Sequence, residues 1–264
     1  MQDKLRALLE RFSRGELDTE EALRQIKNHS YLPVGQVAKL DICRAERVGI
    51  PEAILAEGKN REDLLEISLA HLHATGSVII TRISSAQLEL FRSADLPEGC
   101  TLEHNPVART LVMRTAPAME KKGLVGILAA GTADLPAAEE ARVVAEEMGC
   151  NVIYEYDVGV AGIHRLFPCL EKMAEADALV VAAGREGTLP AVVAGLLEAP
   201  VIGLPVSTGY GLGGGGEAAL YSMLQSCSVL TVVNIDAGFV AGAYAAKIAR
   251  QRSGYADHKI EEKR

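Results

Sequence analysis

The chain has 264 residues, a formal net charge of −8 and 48% hydrophobic residues, so it can bury a core without disulfide or metal support. The acidic balance argues against a nucleic-acid partner, and no apolar run reaches the roughly 18 residues that a membrane span needs. Five cysteines without a C-x-x-C pair are typical of free thiols in a reducing compartment, so we expect a cytoplasmic protein.

The first half of the chain, residues 1–118, is predicted to form a small α+β domain. Its apolar spacing indicates amphipathic helices followed by short strands. The predicted helices cover 5–12, a short segment ending near Ile26, and 61–74, which Gly76 terminates, and the predicted strands cover 77–84 and 108–115.

A second domain is predicted over residues 119–264, which hold 19 of the 25 glycines. Five continuous apolar runs alternate with helices there, and such runs indicate strands buried on both faces of a parallel sheet. The pattern predicts an α/β fold with a flavodoxin-like, doubly wound sheet. The predicted strands cover 123–131, 150–159, 178–184, 200–207 and 229–236, and the predicted helices cover 136–148, 165–176, 189–198, 217–226 and 238–250.

Polar, glycine-rich loops follow the predicted strands. Ligands of doubly wound sheets bind at the carboxyl ends of the strands, and free amides after the first strand can hold an anion. Asp134 is equally typical of a plain helix cap, and His164 and Glu186 could be ordinary loop residues as well as catalytic ones. The predicted substrate-binding residues are Gly131, Thr132, Asp134, Arg165, Arg185, Ser207, Gly209, Gly213 and Gly214.

Residues 209–216 contain six glycines in eight positions, which lets backbone amides approach a ligand closely. The spacing also matches the dinucleotide fingerprint G-x-G-x-x-G, but that fingerprint belongs after the first strand of its domain. Cys227 follows the next predicted helix, where the helix dipole disfavours a thiolate. Its reactivity therefore requires a nearby positive charge.

Several segments resemble a known family: GTADLPAAEEA, AAGREGTLPAVVAGLLEAPVIGLPVSTGYGLGGGGEAALYSMLQSC, VVNIDAGFVAG and, in the first half, GQVAKLDICRAERVGIPEAILAEGK. They resemble the pyridinium biscarboxylate mononucleotide synthases of the LarB type, which begin the synthesis of the nickel-pincer nucleotide, the lactate racemase cofactor. The second half is also similar, more distantly, to the aminoimidazole ribonucleotide carboxylases and mutases, the PurE family of purine synthesis.

The LarB resemblance implies an enzyme that carboxylates the pyridinium ring of nicotinic acid adenine dinucleotide and hydrolyses its phosphoanhydride to release AMP. The family's thiol nucleophile falls on Cys227 and its active-site glutamate on Glu186. The purine relatives imply a histidine at His164 and a phosphate and ribose loop at Thr132 and Asp134. Carbon dioxide or bicarbonate is the implied co-substrate.

A thiol suits this chemistry because a pyridinium ring is electron-poor and does not attack carbon dioxide. Addition of a thiolate gives a dihydropyridine, an enamine whose neighbouring carbon is nucleophilic. After carboxylation, Glu186 takes the ring proton as a general base and the thiolate leaves. The mechanism requires that the Cys227 sulfur reaches the mouth of the glycine-lined cleft.

The N-terminal domain is expected to handle the adenylate half and the anhydride. We expect no tightly bound cofactor, and the sequence shows no cluster of metal ligands, so a role for Mg²⁺ in anhydride hydrolysis stays open. A solvated helix face explains the acidic candidates equally well. The candidates are Lys39, Asp41, Arg44, Arg47, Glu52 and Lys59.

Three alternatives stay open. One is the purine carboxylase or mutase reaction, against which Ala133 argues because it interrupts the phosphate-loop pattern of those relatives. The second is a nucleotide-binding module without turnover, and the third is a dinucleotide oxidoreductase that uses the glycine run. In each case the expected partner is a small-molecule nucleotide. The purine relatives form octamers and the last helix is apolar, so we expect a homo-oligomer, with an octamer as the form that the resemblance implies.

Overall fold

We describe a computed structural model of the chain, which covers residues 2–29 and 31–261. Residues 1, 30 and 262–264, which fall within the predicted domain ranges, lie outside the described residues. The N-terminal part combines helices with short strands. Its elements are α1 (Gln2–Ser13), α2 (Thr19–His29), β1 (Leu32–Val34), β2 (Ala38–Leu40), α3 (Arg44–Val48), β3 (Ala53–Leu55), α4 (Arg61–Thr75), β4 (Ser77–Thr81), α5 (Ser85–Ser93), β5 (Thr101–Asn105) and β6 (Thr110–Arg114).

Four N-terminal strands form one mixed sheet in the order β3-β4-β6-β5, and β1 pairs with β2 separately. α4 begins where the Asn60 side chain accepts a hydrogen bond from the amide of Asp63 at 2.8 Å, and it ends at Gly76 in the left-handed conformation. The α+β prediction for this part, with its helix over 61–74, is confirmed. The prediction missed α5, which begins at a capping box of Ser84 and Gln87.

The C-terminal part repeats a strand, a loop at the carboxyl end of that strand and a helix. Its apolar runs form strands because they can be buried from both sides, as the fully buried third strand shows. Its elements are β7 (Leu124–Ala129), α6 (Leu135–Glu147), β8 (Asn151–Tyr156), α7 (Phe167–Met173), β9 (Ala178–Ala183), α8 (Leu189–Ala194), β10 (Val201–Pro205), α9 (Glu217–Leu224), β11 (Thr231–Val232) and α10 (Gly238–Glu261).

The five C-terminal strands are all parallel and lie in the order β11-β10-β9-β7-β8. This is the flavodoxin-like order, so the predicted fold class is confirmed. Its topological switch point lies between β7 and β9, where the chain first crosses back over the sheet. The loops after these two strands therefore meet at one edge of the sheet.

Small residues let α6 and α10 pack closely over one face of the sheet. A Cβ atom at Gly242 would overlap the carbonyl oxygen of Ala141, and one at Gly238 would lie 2.5 Å from that of Ala137. The α10 helix begins at Gly238, so this packing fixes its N-terminus beside α6. Alanines fill most of the remaining helix interface.

The two parts of the chain are joined by the segment between β6 and β7, which contains the predicted boundary after residue 118. Side chains also connect them: Arg114 donates to Glu147 at 3.1 Å, and Arg82 donates to the carbonyl oxygen of Asp236 at 2.9 Å. Within the described residues, no helix is long and apolar enough to cross a bilayer.

Candidate functional site

Asp134 ties together the loops at the carboxyl edge of the parallel sheet. Its Oδ2 accepts from the Gly131 amide at 2.9 Å, and its Oδ1 accepts from the Gly184 amide at 3.0 Å and the Thr208 hydroxyl at 2.9 Å. The side chain is buried, and that burial raises the pKa of Asp134 against the opposing effect of these hydrogen bonds. Asp134 thus joins the loops after β7, β9 and β10, and both oxygens of its carboxylate already accept hydrogen bonds from the protein.

Three non-glycine residues at this edge adopt the left-handed backbone conformation. They are Asp157 after β8 (φ 59°), Arg185 after β9 (φ 50°) and Asp236 after β11 (φ 54°). Non-glycine residues avoid this region unless the surrounding structure holds them there, and such residues cluster at functional sites. The carboxyl edge is therefore built with local backbone strain at three of its loops.

The N-terminal part contributes two arginines to the same edge. Arg82 follows β4 and Arg109 precedes β6, and both have positive φ angles of 54° and 53°. Arg82 donates to the Asp236 carbonyl and, at 3.3 Å, to Glu57. Arg109 donates to the carbonyl oxygens of Arg82 and Ile83 at 3.1 and 3.3 Å. Because backbone carbonyls receive these Arg109 hydrogen bonds, they fix the side chain without neutralising its charge.

The two parts of the chain together line an open cavity of about 310 Å³ at this edge, called here the interdomain cavity. Its wall includes both arginines, polar groups after β10 and the first turns of α6. The lining residues are Glu57, Arg82, Ala108, Arg109, Ala133, Pro136, Ala137, Glu140, Val206, Ser207, Thr208 and Asp236. Guanidinium groups and the N-terminus of a helix favour anions, and Glu57, Glu140 and Asp236 add carboxyl groups to the same wall. The cavity therefore places positive groups that can bind a phosphoryl group beside carboxyl groups that can accept a proton.

Glu140 lines this cavity although only 5% of the residue is exposed. Its pKa is raised to about 7, chiefly by burial, while Arg82 and Arg109 oppose the rise and Asp236 adds to it. The amide of Phe239, in the first turn of α10, donates to the Glu140 carboxylate. A carboxyl group with this pKa can accept or release a proton near neutral pH.

Comparison with known families matches residues 124–264 to the family described as AIR carboxylase, and residues 31–115 to the LarB/PurE-like N-terminal domain. The first match covers more than half of the chain. The chain belongs to the AIR carboxylase family.

This AIR carboxylase family member is 41% identical to an uncharacterized protein of Methanocaldococcus jannaschii, over 95% of this chain and 98% of the relative. It is 32% identical to the N5-carboxyaminoimidazole ribonucleotide mutase of the same organism, over 53% of this chain and 85% of that enzyme. Among solved structures, Treponema denticola PurE is 18% identical with a TM-score of 0.38, over 53% of this chain and 94% of that chain. The family match begins at residue 124, so Arg82 and Arg109 lie outside it.

Apart from Cys227, the predicted catalytic and binding residues of the AIR carboxylase domain lie along the carboxyl edge. Ser207 lines the cavity, and its amide donates to Asp236 at 2.9 Å. Arg185 lies 4.7 Å over the ring of Tyr210 in the glycine-rich loop, and Glu186 beside it is exposed. The other predicted residues do not line the cavity. Three of them are exposed in neighbouring loops: Thr132, His164 and Arg165, which pairs with Asp157. Four glycines are partly buried: Gly131, Gly209, Gly213 and Gly214.

Cys227 is exposed but lies away from this edge. α9 leaves the glycine-rich loop at the carboxyl edge and runs back along the sheet, and Cys227 follows its end. The next residue, Ser228, donates to the carbonyl oxygen of Ala191 in α8 at 2.8 Å, and β11 begins three residues later. Among the described residues, Cys227 is not part of the cavity lining. Nearness in sequence to the glycine run therefore does not bring the thiol to the cleft of its own chain.

The six N-terminal candidates also lie outside the cavity. Asp41 pairs with Arg47, and this hydrogen bond lowers the pKa of Asp41. Arg44 pairs with Glu52 at 3.2 Å. The remaining two are Lys39, over the ring of Tyr31, and Lys59, on the loop before α4. Asp41 and Glu52 line a different cavity, called here the N-terminal cavity, which the N-terminal part forms together with Glu147 of α6.

Sequence analysis missed the charged residues that the N-terminal part and α6 bring to the cavity. Arg82 carried a usable signal, because it interrupts the apolar run 77–84 at the end of a strand. Glu140 carried another, since it is a carboxylate within an alanine-rich helix that faces the sheet. Arg109 carried no comparable signal, because a charged residue beside a strand is ordinary in a surface loop.

Proposed function

We propose that this protein carboxylates the pyridinium ring of nicotinic acid adenine dinucleotide and hydrolyses its phosphoanhydride, releasing AMP, as a step in nickel-pincer nucleotide synthesis. One observation carries the proposal: the N-terminal part supplies two arginines, Arg82 and Arg109, to the cavity at the carboxyl edge. The named purine mutase relative matches only about half of this chain. The added domain thus gives this site positive groups beyond the matched region.

A dinucleotide needs such groups more than a mononucleotide does. Its pyrophosphate bridge carries two negatively charged phosphoryl groups, and arginine binds phosphoryl oxygens through paired, charge-assisted hydrogen bonds. The Gly131 and Ser207 amides are already bonded to Asp134 and Asp236, so the ribose and phosphate of the nicotinate half would take the amides that follow them in these two loops. This division of the ligand between the two parts of the chain supports a dinucleotide substrate.

Carboxylation proceeds by covalent catalysis. The Cys227 thiolate forms a bond to a ring carbon, which neutralises the pyridinium and makes the adjacent carbon nucleophilic. That carbon bonds to carbon dioxide, Glu186 removes its proton, and the carbon–sulfur bond breaks to restore the aromatic ring. The net change replaces one ring hydrogen by a carboxylate and consumes no oxidant or reductant.

A thiol away from its own cleft implies that a second copy of the chain supplies it. Close to Cys227 in the sequence are three apolar side chains that are exposed in the single chain: Tyr221 at 59%, Leu224 at 62% and Val229 at 94%. Exposed apolar clusters of this kind are typical of subunit interfaces. We therefore propose a homo-oligomer in which this surface of one chain covers the cleft of another.

Mg²⁺ is assigned no step here. Among the described residues, no group of three or more His, Cys, Asp or Glu is placed to hold a metal ion. The reaction as proposed uses carbon dioxide or bicarbonate as co-substrate and no tightly bound cofactor.

Mass spectrometry after incubation with nicotinic acid adenine dinucleotide and bicarbonate tests the function. We expect AMP and a dicarboxylated ring nucleotide, and we expect Cys227→Ser to abolish ring carboxylation while the control Cys100→Ser preserves it. Absence of both products from the unsubstituted protein would overturn the proposal.

Co-expression of two inactive chains tests the shared site. Cys227→Ser chains keep an intact cleft, and Glu186→Gln chains keep an intact thiol, so random mixing restores ring carboxylation at about a quarter of the sites. Mixed oligomers that are no more active than the better single variant would show that thiol and cleft belong to one chain.

The second candidate function is the mutase reaction, which the 32% identity to N5-carboxyaminoimidazole ribonucleotide mutase favours. An electron-rich aminoimidazole needs no thiol nucleophile. Turnover of that ribonucleotide by the Cys227→Ser variant, with no product from the dinucleotide, would select this alternative.

A further inference from the structure

Glu140 is a buried carboxyl group that the carboxylation mechanism does not use. It lies on α6 at the wall of the interdomain cavity, with 5% of the residue exposed. Gly238 makes room for it, because a Cβ atom there would lie 2.7 Å from Glu140 Oε2. The close packing of α6 and α10 thus accommodates a carboxylate where a larger residue would fill the space.

The groups around Glu140 are those that phosphoanhydride hydrolysis requires. Arg82 and Arg109 lie on the same cavity and interact electrostatically with the carboxylate. Two guanidinium groups can stabilise the charge that develops on phosphoryl oxygens, and a carboxylate beside them can accept a proton from water. Glu139, the adjacent residue, instead pairs with Arg142 outside this cavity.

We infer that Glu140 is the general base of anhydride hydrolysis, and that Arg82 and Arg109 hold the phosphoryl groups being separated. This assignment rests on the proposed function and names the part of the site that performs its second reaction. It assigns cleavage to the interdomain cavity and ring carboxylation to Glu186 and the incoming thiol.

The hydrolysis step balances without a further reactant. A water oxygen forms a bond to one phosphorus atom while the bond from that phosphorus to the bridging oxygen breaks. The water proton passes to the Glu140 carboxylate, and the bridging oxygen leaves with the other phosphate. A phosphate monoester has a second pKa of about 6, so the leaving group needs no proton at neutral pH.

The charged groups facing Glu140 make it a suitable base. Burial raises its pKa to about 7, Asp236 adds to the rise, and Arg82 and Arg109 limit it. Glu57 also lines the cavity, where it pairs with Arg82. At pH 8 the carboxylate is mostly unprotonated and yet basic enough to take a proton from water in the transition state.

The test follows the two reactions separately in Glu140→Gln. Mass spectrometry measures ring carboxylation and AMP release from nicotinic acid adenine dinucleotide, and inorganic pyrophosphate serves as a competitive probe of the anion site. We expect AMP release to fall about 100-fold, with carboxylated dinucleotide accumulating and pyrophosphate inhibition unchanged. Glu139→Gln is the matched control and should release AMP normally.

Further measurements keep the assignment testable if Glu140→Gln folds poorly. AMP release by the unsubstituted protein should rise with pH to a plateau, with a midpoint near the pKa of Glu140 at about 7, and Glu140→Asp should shift that midpoint. AMP release by Glu140→Gln at the normal rate, or a rate independent of pH from about 6 to 8, overturns the Glu140 assignment alone. Absence of both products from the unsubstituted protein overturns the proposed function and this assignment with it.

Discussion

Two cavities among the described residues differ in how their charged lining residues are arranged. The N-terminal cavity, of about 390 Å³, is lined by Asp41, Glu52, His71, Arg114 and Glu147. Its acidic groups pair with arginines: Arg47 binds Asp41, Arg44 binds Glu52 and Arg114 binds Glu147. At the interdomain cavity, the hydrogen bonds that fix Arg109 end on backbone carbonyls instead.

This difference separates charges that hold the fold from charges available to a ligand. A paired carboxylate offsets part of the charge of its guanidinium, so Arg82, which pairs with Glu57, attracts an anion less strongly than Arg109 does. A guanidinium held by carbonyls keeps its full positive charge and a fixed direction. The buried titratable groups differ as well. Burial lowers the pKa of His71, which keeps it neutral, and raises that of Glu140 into the range of proton transfer.

The largest expected effect is the loss of stability that the ionised Glu140 carboxylate causes. Its pKa is raised on folding from 4.5 to about 7, so the folded state binds a proton more tightly, and stability falls as pH rises between these values. Glu140→Gln removes this cost and should increase the free energy of unfolding at pH 8 by up to about 3 kcal/mol. Urea denaturation at pH 5 and pH 8 measures the difference.

Glu139→Gln supplies the control for this prediction. Burial alone would raise the pKa of Glu139, but its hydrogen bonds with Arg142 and Tyr156 lower it. The ionised carboxylate therefore stabilises the folded state, and Glu139→Gln should decrease the free energy of unfolding at pH 8. If the free energy of unfolding depends on pH equally in the Glu140→Gln variant and the unsubstituted protein, folding does not raise the pKa of Glu140.

The second prediction compares the arginines of the two cavities. Arg109→Gln removes a charge available to the ligand and should lower kcat/KM for AMP release about 30-fold, since a hydrogen bond to a charged group contributes about 2 kcal/mol. Steady-state kinetics at fixed salt measures this loss. Arg44→Gln should leave kcat/KM nearly unchanged, and a comparable loss there would remove the distinction between the cavities.

The third prediction tests the junction at the carboxyl edge. Gly184→Ala would place a Cβ atom in overlap with Thr208 Oγ1 and 3.0 Å from Asp134 Oδ1, so these groups must separate. We expect a loss of about 2 kcal/mol in unfolding free energy, measured by urea denaturation. Gly195→Ala, whose Cβ atom would meet no atom closer than 3.5 Å, should change stability far less.

The smallest expected effect is the change in unfolding free energy when Arg44, beside the N-terminal cavity, is replaced. Arg44 is partly exposed and its ion pair with Glu52 spans 3.2 Å, so Arg44→Gln should cost less than about 1 kcal/mol. The loss should diminish at high salt, because salt screens exposed ion pairs. Urea denaturation at low and at high salt is the measurement, and a larger or salt-independent loss would indicate that this pair is more than a surface contact.

The sequence predicted the sheet well because each strand carries its own local signal. The run 178–184 is apolar throughout, and β9 is buried throughout. The same periodicity could not predict the cavity, which depends on residues such as Arg82 and Asp236 that are 154 positions apart. Such contacts depend on how the two parts of the chain dock, and no local pattern reports that.

Cys227 shows the opposite kind of failure. Its position shortly after the glycine run suggested a place at the cleft, but a helix lies between them and carries the chain away. An α-helix rises about 1.5 Å per residue, so the eight residues of α9 separate the thiol from the glycine-rich loop by roughly 12 Å. Short separation in sequence is therefore a poor guide to distance once a helix intervenes.

The hydrogen bond from Arg82 to the Asp236 carbonyl has a consequence for any truncated form of this protein. A fragment beginning after the linker would contain the residues of all five parallel strands and their helices. It would nevertheless lack Arg82, whose guanidinium reaches the loop after β11, and Arg109, which lines the same cavity. Such a fragment would be a poor choice for ligand screening, since it would contain the whole AIR carboxylase match and still lack the N-terminal residues that line the cavity.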